Sequence, residues 1–249
     1  MTATPTRTLV IVPTYNERDN VQEMAHRLLA AAPAGIELLV VDDSSPDGTA
    51  EVVRSLARER DDVHLIERSA KTGLGDAYVE GFRWAIERGY EAVVEMDADL
   101  SHDPTAVPDL VAALAEADLV IGSRYVDGGR IENWGTFRRL LSRFGNLYAN
   151  ALLRFGVKDA TSGFRAYRIQ ALRDQDLSTV ASHGYAFQIE MTRRVAARGG
   201  ILKELPITFV ERAAGESKMS KRIVIEALTE VTWWGIRDRL SRRTRRGKV

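Results

Sequence analysis

Residues 8–48 read TLVIVPTYNERDNVQEMAHRLLAAAPAGIELLVVDDSSPDG, which is two short apolar runs on either side of an amphipathic stretch. The runs at 8–12 and 36–41 are apolar apart from Thr8 and Glu37 and do not alternate, a pattern typical of strands that are covered on both faces. The apolar residues between them fall on one face of a helix: Val21, Met24, Ala25, Leu28 and Leu29. This β-α-β unit predicts parallel strands joined by a right-handed crossover.

The same alternation continues through the first half of the chain. Apolar runs at 63–67, 92–96 and 119–121 are separated by further amphipathic stretches. We therefore predict an α/β fold with a largely parallel, Rossmann-like sheet and helices on both faces. A helix around 187–198 and a strand at 206–211 are predicted in the second half. No linker composition appears, so we expect one domain over 1–220 and an amphipathic, basic helical extension over 221–249.

The composition excludes several kinds of chemistry. The 249 residues include no cysteine, which excludes disulfides, zinc–cysteine sites, iron–sulfur clusters and thiol catalysis. The four histidines are scattered and lack a His-Glu-x-x-His spacing, so a histidine-built metal site is not expected.

The formal net charge of zero conceals a strongly basic end. Residues 237–249 carry six arginines and one lysine against one aspartate, so this tail has a charge of +6 and the remainder −6. Such a tail is expected to meet an anionic surface. Nucleic acid is not the expected partner, because the body is acidic and the tail lacks aromatic residues. No signal peptide or bilayer-spanning segment is expected, since Glu226 and Glu230 interrupt the longest apolar candidate at 223–236.

Charged residues follow four of the predicted strands. Glu17 follows the first, Asp42 and Asp43 the second, Asp97 and Asp99 the fourth, and Arg124 the fifth. The carboxyl ends of parallel strands lie at one edge of a sheet, where ligands of such folds bind. We therefore expect these side chains to line one site.

Each of these groups suits part of a site for a nucleoside diphosphate. Asp97 and Asp99 offer the oxygen ligands that Mg²⁺ or Mn²⁺ takes together with substrate phosphates. Asp43 can accept hydrogen bonds from a nucleoside, and Arg124 presents a planar fork that matches phosphate. The later segment ERAAGESK (211–218) contains Arg212 and Lys218 and could close over phosphates as a lid.

These motifs together resemble one enzyme family. The matching segments are VPTYNE (12–17), VVDDSSPDGT (40–49), EMDADLSHDP (95–104), GSRYVDGGRIENW (122–134), TSGFRAYR (161–168), GYAFQIEM (184–191) and FVERAAGESKMS (209–220). The chain is similar to polyprenyl-phosphate mannosyltransferases, the dolichyl-phosphate mannose synthase group of the inverting GT-A glycosyltransferases in family 2.

The resemblance implies a GT-A fold and an inverting transfer of mannose from GDP-mannose to a polyprenyl (dolichyl-type) monophosphate. It implies catalytic roles for Asp99, Arg124 and Arg138, and a Mg²⁺ or Mn²⁺ site at Asp97, Asp99 and Ser101. The nucleotide-sugar residues that it implies are Pro13, Tyr15, Glu17, Val41, Asp43, Asp97, Ala98, Asp99, Arg124, Arg212 and Lys218.

Other functions stay open at this point. A glucosyltransferase that uses UDP-glucose and the same lipid acceptor would need the same diphosphate site, and a nucleotide-sugar-binding membrane adaptor would bind the donor without turnover. The lipid acceptor, the basic tail and Trp233-Trp234 predict peripheral association with the cytoplasmic face of a membrane. Recruitment by a separate membrane protein is a further expected interaction.

Overall fold

A mostly parallel sheet forms the centre of the computed structural model, which describes residues 3–182, 184–211 and 221–246. The strands of the first half are β1 (Thr8–Thr14), β2 (Ile36–Asp42), β3 (Val63–Glu67), β4 (Ala92–Glu95) and β5 (Leu119–Ser123). Those of the second half are β6 (Arg130–Glu132), β7 (Arg165–Arg168), β8 (Leu202–Pro206) and β9 (Thr208–Val210). The α/β prediction and the first five strands are confirmed.

Helices cover both faces of this sheet. In chain order they are α1 (Arg18–Ala31), α2 (Thr49–Glu59), α3 (Leu74–Glu87), α4 (Val107–Ala113), α5 (Thr136–Leu153), α6 (Ile169–Arg173), α7 (Gly184–Ala197) and α8 (Lys221–Arg246). Alternate side chains of β1 divide between two cores. Leu9 and Ile11 pack with α3 and α7, whereas Val10 and Val12 pack with α1, α2 and α4.

The strand order in the sheet is β3-β2-β1-β4-β7-β5-β8. β7 runs antiparallel between β4 and β5, and the other neighbours are parallel. The sequence pattern did not predict β7. The strand predicted at 206–211 corresponds to the shorter β9, which pairs with β6 in a small second sheet, whereas β8 of the main sheet was not predicted.

The C-terminal helix α8 packs against the body through α5 and α7. Val231 is buried, the Tyr148 and Thr232 hydroxyls are 2.7 Å apart, and Arg193 of α7 forms an ion pair with Asp238. In the part of the chain that the structure describes, no helix combines the length and the apolar character needed to cross a bilayer. Assignment of 221–249 to a separate membrane-contact unit stays a prediction.

Candidate active site

The acidic motif after β4 forms a sharp turn at the edge of the sheet. Leu100 has a left-handed φ of 60°, and the Ser101 N–H donates to Asp99 Oδ1 at 3.1 Å. The Asp97 N–H donates to His102 Nδ1 at 3.2 Å. Burial lowers the pKa of His102, so the ring is neutral and can accept this bond. The turn therefore holds both aspartates on a fixed backbone.

A polar cavity of about 540 Å³, including its open mouth, lies over this turn. The carboxylates of Asp97 and Asp99 line it, and Arg124 and Arg138 bring cationic groups to the same space. The motifs after β4 and β5 thus meet in one cavity although β7 separates these strands in the sheet. Opposite charges in one concave site suit an anionic ligand together with a cation.

The donor set in this cavity fits a hard divalent cation. Asp97 and Asp99 supply carboxylate oxygens, and the buried Ser101 Oγ has no hydrogen-bond partner among the described residues. Oxygen ligands of this kind suit Mg²⁺ or Mn²⁺. Within the same residues, no group of three or more His, Cys, Asp or Glu side chains is placed to hold a metal. A cation here would therefore take further oxygens from water or from a bound phosphate.

Arg124 is held by a buried carboxylate. Its Nε and Nη2 donate to the two oxygens of Asp159 at 2.7 and 2.6 Å, and Nη2 also donates to Thr161 at 3.0 Å. Burial opposes ionisation of Asp159, but attraction and hydrogen bonds from Arg124 keep the pKa of this carboxyl below its usual value. Nη1 takes no part in these bonds. The guanidinium is therefore fixed in orientation, and its Nη1, which has no hydrogen bond to the residues that the structure describes, could donate to a ligand.

Arg138 reaches the same cavity from α5. It forms an ion pair with Glu211 and lies 4.2 Å from the ring centre of Trp134. Its sequence neighbour Arg139 donates instead to the backbone oxygen of Ile131 at 3.2 Å and is exposed. The structure thus distinguishes two adjacent arginines, and Arg138 is the one that lines the cavity.

The ends of β1, β2 and β3 form a second charged cluster beside the first. Asp43 accepts from Arg68 Nη1 at 2.6 Å, and the Lys71 ammonium lies 3.6 Å from the ring centre of Tyr15. Burial raises the pKa of Asp43 against the attraction of Arg68. Because β1 lies between β2 and β4, this cluster adjoins the acidic turn.

An apolar cavity opens on the other side of Arg124. It measures about 720 Å³ with its open mouth and lies between α5, α7 and α8. Leu141, Phe144, Ile189 and Val231 are among its lining side chains. The two cavities share four residues: Arg124, Trp134, Thr161 and Tyr185. A ligand with an apolar chain and an anionic end could therefore place its charge at Arg124.

The family model of glycosyl transferase family 2 matches residues 9–175, which include the acidic turn, Arg124 and Asp159. The chain belongs to this family. The glycosyltransferase is 50% identical over 233 residues to an undecaprenyl-phosphate mannosyltransferase of Micrococcus luteus, covering 94% of this chain and 96% of the relative. It is also 50% identical over 244 residues to a polyprenol monophosphomannose synthase of Mycolicibacterium smegmatis, covering 97% of this chain and 92% of the relative.

Solved structures support the same fold. Glucosyl-3-phosphoglycerate synthase of Mycobacterium tuberculosis, in complex with Mn²⁺, UDP-glucose and phosphoglyceric acid, superposes on this glycosyltransferase with a TM-score of 0.68. The match covers 91% of this chain and 80% of the other at 20% identity, so it bears on the fold alone. The GT-A prediction and the resemblance to the polyprenyl-phosphate mannosyltransferase group are confirmed.

The predicted site residues of the glycosyltransferase take different positions. Val41 and Ala98 are buried in the cores, where their side chains can only support the pocket wall. Glu17 is half-buried and accepts from Asn20 at 2.9 Å, a bond that stabilises the start of α1. Pro13 and Tyr15 are half-buried at the end of β1. Arg212 and Lys218 lie outside the described residues, so their predicted contacts with the donor stay predictions.

Sequence reasoning missed several residues around Arg124. Asp159, Thr161 and Tyr185 adjoin or lie within the segments that carried the family resemblance, but no local pattern marks them as partners of Arg124. Arg165 is fully buried and donates to the backbone oxygens of Ala160 and Ser162, both at 2.6 Å. It therefore fixes the loop that carries two of these residues.

A buried carboxyl beneath the site gives the glycosyltransferase a pH-dependent stability. Burial raises the pKa of Glu95 from 4.5 to about 7, against the attraction of Arg165. Interactions with the Gln188 and Tyr167 side chains offset the effect of burial only in part. The pKa of Glu95 is higher in the folded protein than in the unfolded chain. Below pH 4.5 the residue therefore does not reduce the free energy of unfolding, and this free energy falls as the pH rises through about 7.

We therefore expect Glu95→Gln to have a larger free energy of unfolding than the unmodified protein at pH 8. This advantage should be about 2–3 kcal/mol greater at pH 8 than at pH 5. Urea unfolding at the two pH values measures the difference. Glu59→Gln, at an exposed position, is the matched control and should change little. A Glu95→Gln effect of the same size at both pH values would contradict the assignment.

Proposed function

We propose that this chain transfers mannose from GDP-mannose to the phosphate of a polyprenyl phosphate, with inversion at the anomeric carbon. The observation that carries the proposal is the meeting of a polar and an apolar cavity at Arg124. A sugar donor needs the polar cavity, and a lipid needs the apolar cavity. The two mannosyltransferase relatives support the same reaction, since their names specify undecaprenyl phosphate and polyprenol monophosphomannose.

The chemistry is a single displacement. A phosphate oxygen of the acceptor attacks the anomeric carbon, the bond from that carbon to the GDP oxygen breaks, and GDP leaves with the bonding electrons. The acceptor phosphate is already an anion at neutral pH, so the step needs no strong base. One displacement inverts the configuration and gives a β-linked mannosyl phosphate. The obstacle is repulsion between two anions.

Cations in the site reduce this repulsion. Asp97 and Asp99, with Ser101, would hold Mg²⁺ or Mn²⁺, which supplies charge stabilisation for the departing diphosphate. The solved glucosyl-3-phosphoglycerate synthase, which shares the fold, holds Mn²⁺ with UDP-glucose. The donor nucleoside would lie over Tyr15 and Asp43, beside the acidic turn.

Two arginines would receive the acceptor phosphate. Arg124 has a fixed orientation because Asp159 and Thr161 hold it, so it suits a preorganised role. Arg138 is more exposed, and its only ion pair among the described residues is with Glu211. An entering phosphate can compete with Glu211 for this side chain, since the pair is partly solvated. Both roles are proposals about this chain's own residues.

An assay with purified protein tests the proposal. GDP-mannose and UDP-glucose, each labelled in the sugar, are offered separately with undecaprenyl phosphate, and the lipid product is analysed. Mannosyl-phosphate lipid from GDP-mannose supports the proposal, and glucosyl lipid from UDP-glucose would replace it with the alternative donor. Donor binding without any lipid product would instead support an adaptor. Added EDTA should stop the transfer, and excess Mg²⁺ or Mn²⁺ should restore it.

We also propose peripheral binding to the cytoplasmic face of a membrane through the basic tail. Removing residues 240–249 takes away five cations and leaves the Arg193–Asp238 ion pair of α8 in place. We expect this truncation to weaken binding to anionic vesicles at low salt, with a smaller loss as salt rises. Cosedimentation at two salt concentrations measures it. Equal binding by both proteins at low salt would refute a role for the tail.

A further inference from the structure

Trp134 lies where the polar and the apolar cavity meet. Its side chain lines both cavities and is 8% exposed. The residue follows β6, where Asn133 has a left-handed φ of 64°, and it precedes the first turn of α5. The indole is therefore part of the wall that the two cavities share, next to the arginines proposed to receive the acceptor phosphate.

The two arginines share the ring of Trp134. Arg138 Cζ lies 4.2 Å from the ring centre, and Arg124 Cζ lies 5.3 Å from it. The negative face of an aromatic ring attracts guanidinium groups, and tryptophan does so most strongly. One indole thus offsets part of the repulsion between two cations that would bind the same phosphate.

Arg138 depends on this ring more than Arg124 does. Asp159 holds the Arg124 side chain through two short hydrogen bonds. The guanidinium of Arg138 has instead a partly solvated ion pair with Glu211 and the ring of Trp134. A phosphate that binds Arg138 competes with Glu211 for the guanidinium. Trp134 is then the contact that remains to fix the position of this side chain.

The indole N–H indicates that the face of the ring matters more than its nitrogen. Nε1 is buried and has no hydrogen-bond partner among the described residues. A buried donor without a partner lowers the free energy of unfolding, and a phenylalanine at this position would avoid that loss. The large aromatic face therefore explains a tryptophan here better than hydrogen bonding does.

Aromatic contacts connect Trp134 to the acidic turn. Its ring packs edge to face with Phe209, with 5.4 Å between the ring centres, and Phe209 packs in the same way with His102 at 5.4 Å. His102 in turn accepts the N–H of Asp97. The ring that contacts Arg138 therefore has a fixed position relative to the proposed cation site.

We infer that Trp134 is a positioning residue for the acceptor, because its ring holds Arg138 where the guanidinium meets the acceptor phosphate in place of Glu211. This inference rests on the proposed function for the identity of the acceptor. Loss of the ring should weaken binding of the phosphate group and leave binding of the apolar chain and of GDP unchanged. A residue that only formed the cavity wall would affect binding of the chain.

The test compares Trp134→Leu, which removes the aromatic face, with Trp134→Phe, which keeps a smaller one. Titration calorimetry on the full chain measures binding of farnesyl phosphate, a short polyprenyl phosphate, and of farnesol, which has the same chain without the phosphate. We expect Trp134→Leu to bind farnesyl phosphate about tenfold more weakly and farnesol normally. Trp134→Phe should recover most of the affinity for farnesyl phosphate.

Trp84→Leu is the matched control. The ring of Trp84 lies 4.1 Å from the guanidinium of Arg88, but Trp84 is on α3 and lines neither cavity. This variant should bind farnesyl phosphate, farnesol and GDP normally. Circular dichroism checks the fold of each variant, and Trp134→Met replaces Trp134→Leu if the latter does not fold.

Arg138→Gln then shows whether Trp134 acts through Arg138. In the Arg138→Gln background, Trp134→Leu should change binding of farnesyl phosphate little, because the side chain that the ring positions is already absent. The same loss in both backgrounds would overturn the inference, as would an equal loss for farnesyl phosphate and farnesol.

Two further outcomes would also overturn it: unchanged binding of farnesyl phosphate by Trp134→Leu, and absence of such binding by the unmodified protein. The proposed function fails separately. If the unmodified protein binds farnesyl phosphate but transfers sugar neither to it nor to undecaprenyl phosphate, the mannosyltransferase proposal is wrong, while the binding comparison still decides the role of Trp134.

Discussion

Asp99→Ala is expected to reduce sugar transfer by about a thousandfold or more, because it removes a carboxylate from the proposed cation site. The side chain lines the polar cavity together with Asp97, and its Oδ1 accepts one backbone bond from Ser101. Loss of the hydrogen bond from Ser101 costs about 1 kcal/mol, so this loss by itself should leave the protein folded. Initial rates at saturating donor and acceptor measure the change, and circular dichroism checks the fold.

The chain offers a matched control for this substitution. Asp174 and Asp176 form a second Asp-x-Asp pair, but Asp174 is exposed at the end of α6, and neither residue lines the polar cavity. Asp174→Ala should therefore transfer sugar at nearly the normal rate. A normal rate in Asp99→Ala would refute its catalytic role, and an equal loss in both variants would indicate damage to the fold.

The contrast between these two pairs explains which parts of the site the sequence could predict. Spacing alone does not distinguish them, but Asp97 follows the mostly apolar run AVVEM (92–96), whereas no such run precedes Asp174. Such runs predicted β1 to β5 to within about two residues, because strands that are covered on both faces are mostly apolar instead of alternating. Residues at the ends of these strands were predicted correctly to share one edge of the sheet.

The antiparallel strand β7 shows what the sequence could not predict. It reads Arg-Ala-Tyr-Arg, which is too polar for a buried strand by its pattern. Arg165 is nevertheless fully buried, because backbone oxygens and the Thr192 hydroxyl satisfy its guanidinium. Insertion of β7 between β4 and β5 depends on pairing with distant strands, which local periodicity does not report. The partner of Arg124 was missed for the same reason, since Asp159 lies 35 residues away.

Arg124→Gln is expected to lower transfer by about a hundred- to a thousandfold and to destabilise the protein by about 3–5 kcal/mol. The loss of stability arises because Asp159 has no exposed surface and would keep a buried charge without its cation. Asp159→Asn should destabilise by a similar amount, since Arg124 would then be the unpaired ion. Activity alone would therefore not separate a catalytic Arg124 from a structural one.

The double variant Arg124→Gln with Asp159→Asn separates the two roles. Removing both charges leaves no unpaired buried ion, so much of the lost stability should return, whereas transfer should stay low because the acceptor phosphate has lost its fixed cation. Donor binding should be near normal in this variant. Urea unfolding, titration with GDP and transfer rates measure the three quantities.

The matched control is Arg193→Gln with Asp238→Asn, a partly exposed pair whose removal should lower the free energy of unfolding by about 1 kcal/mol or less. Recovery of transfer together with stability would mean that Arg124 only supports the fold, and that another cation, such as Arg138, receives the phosphate.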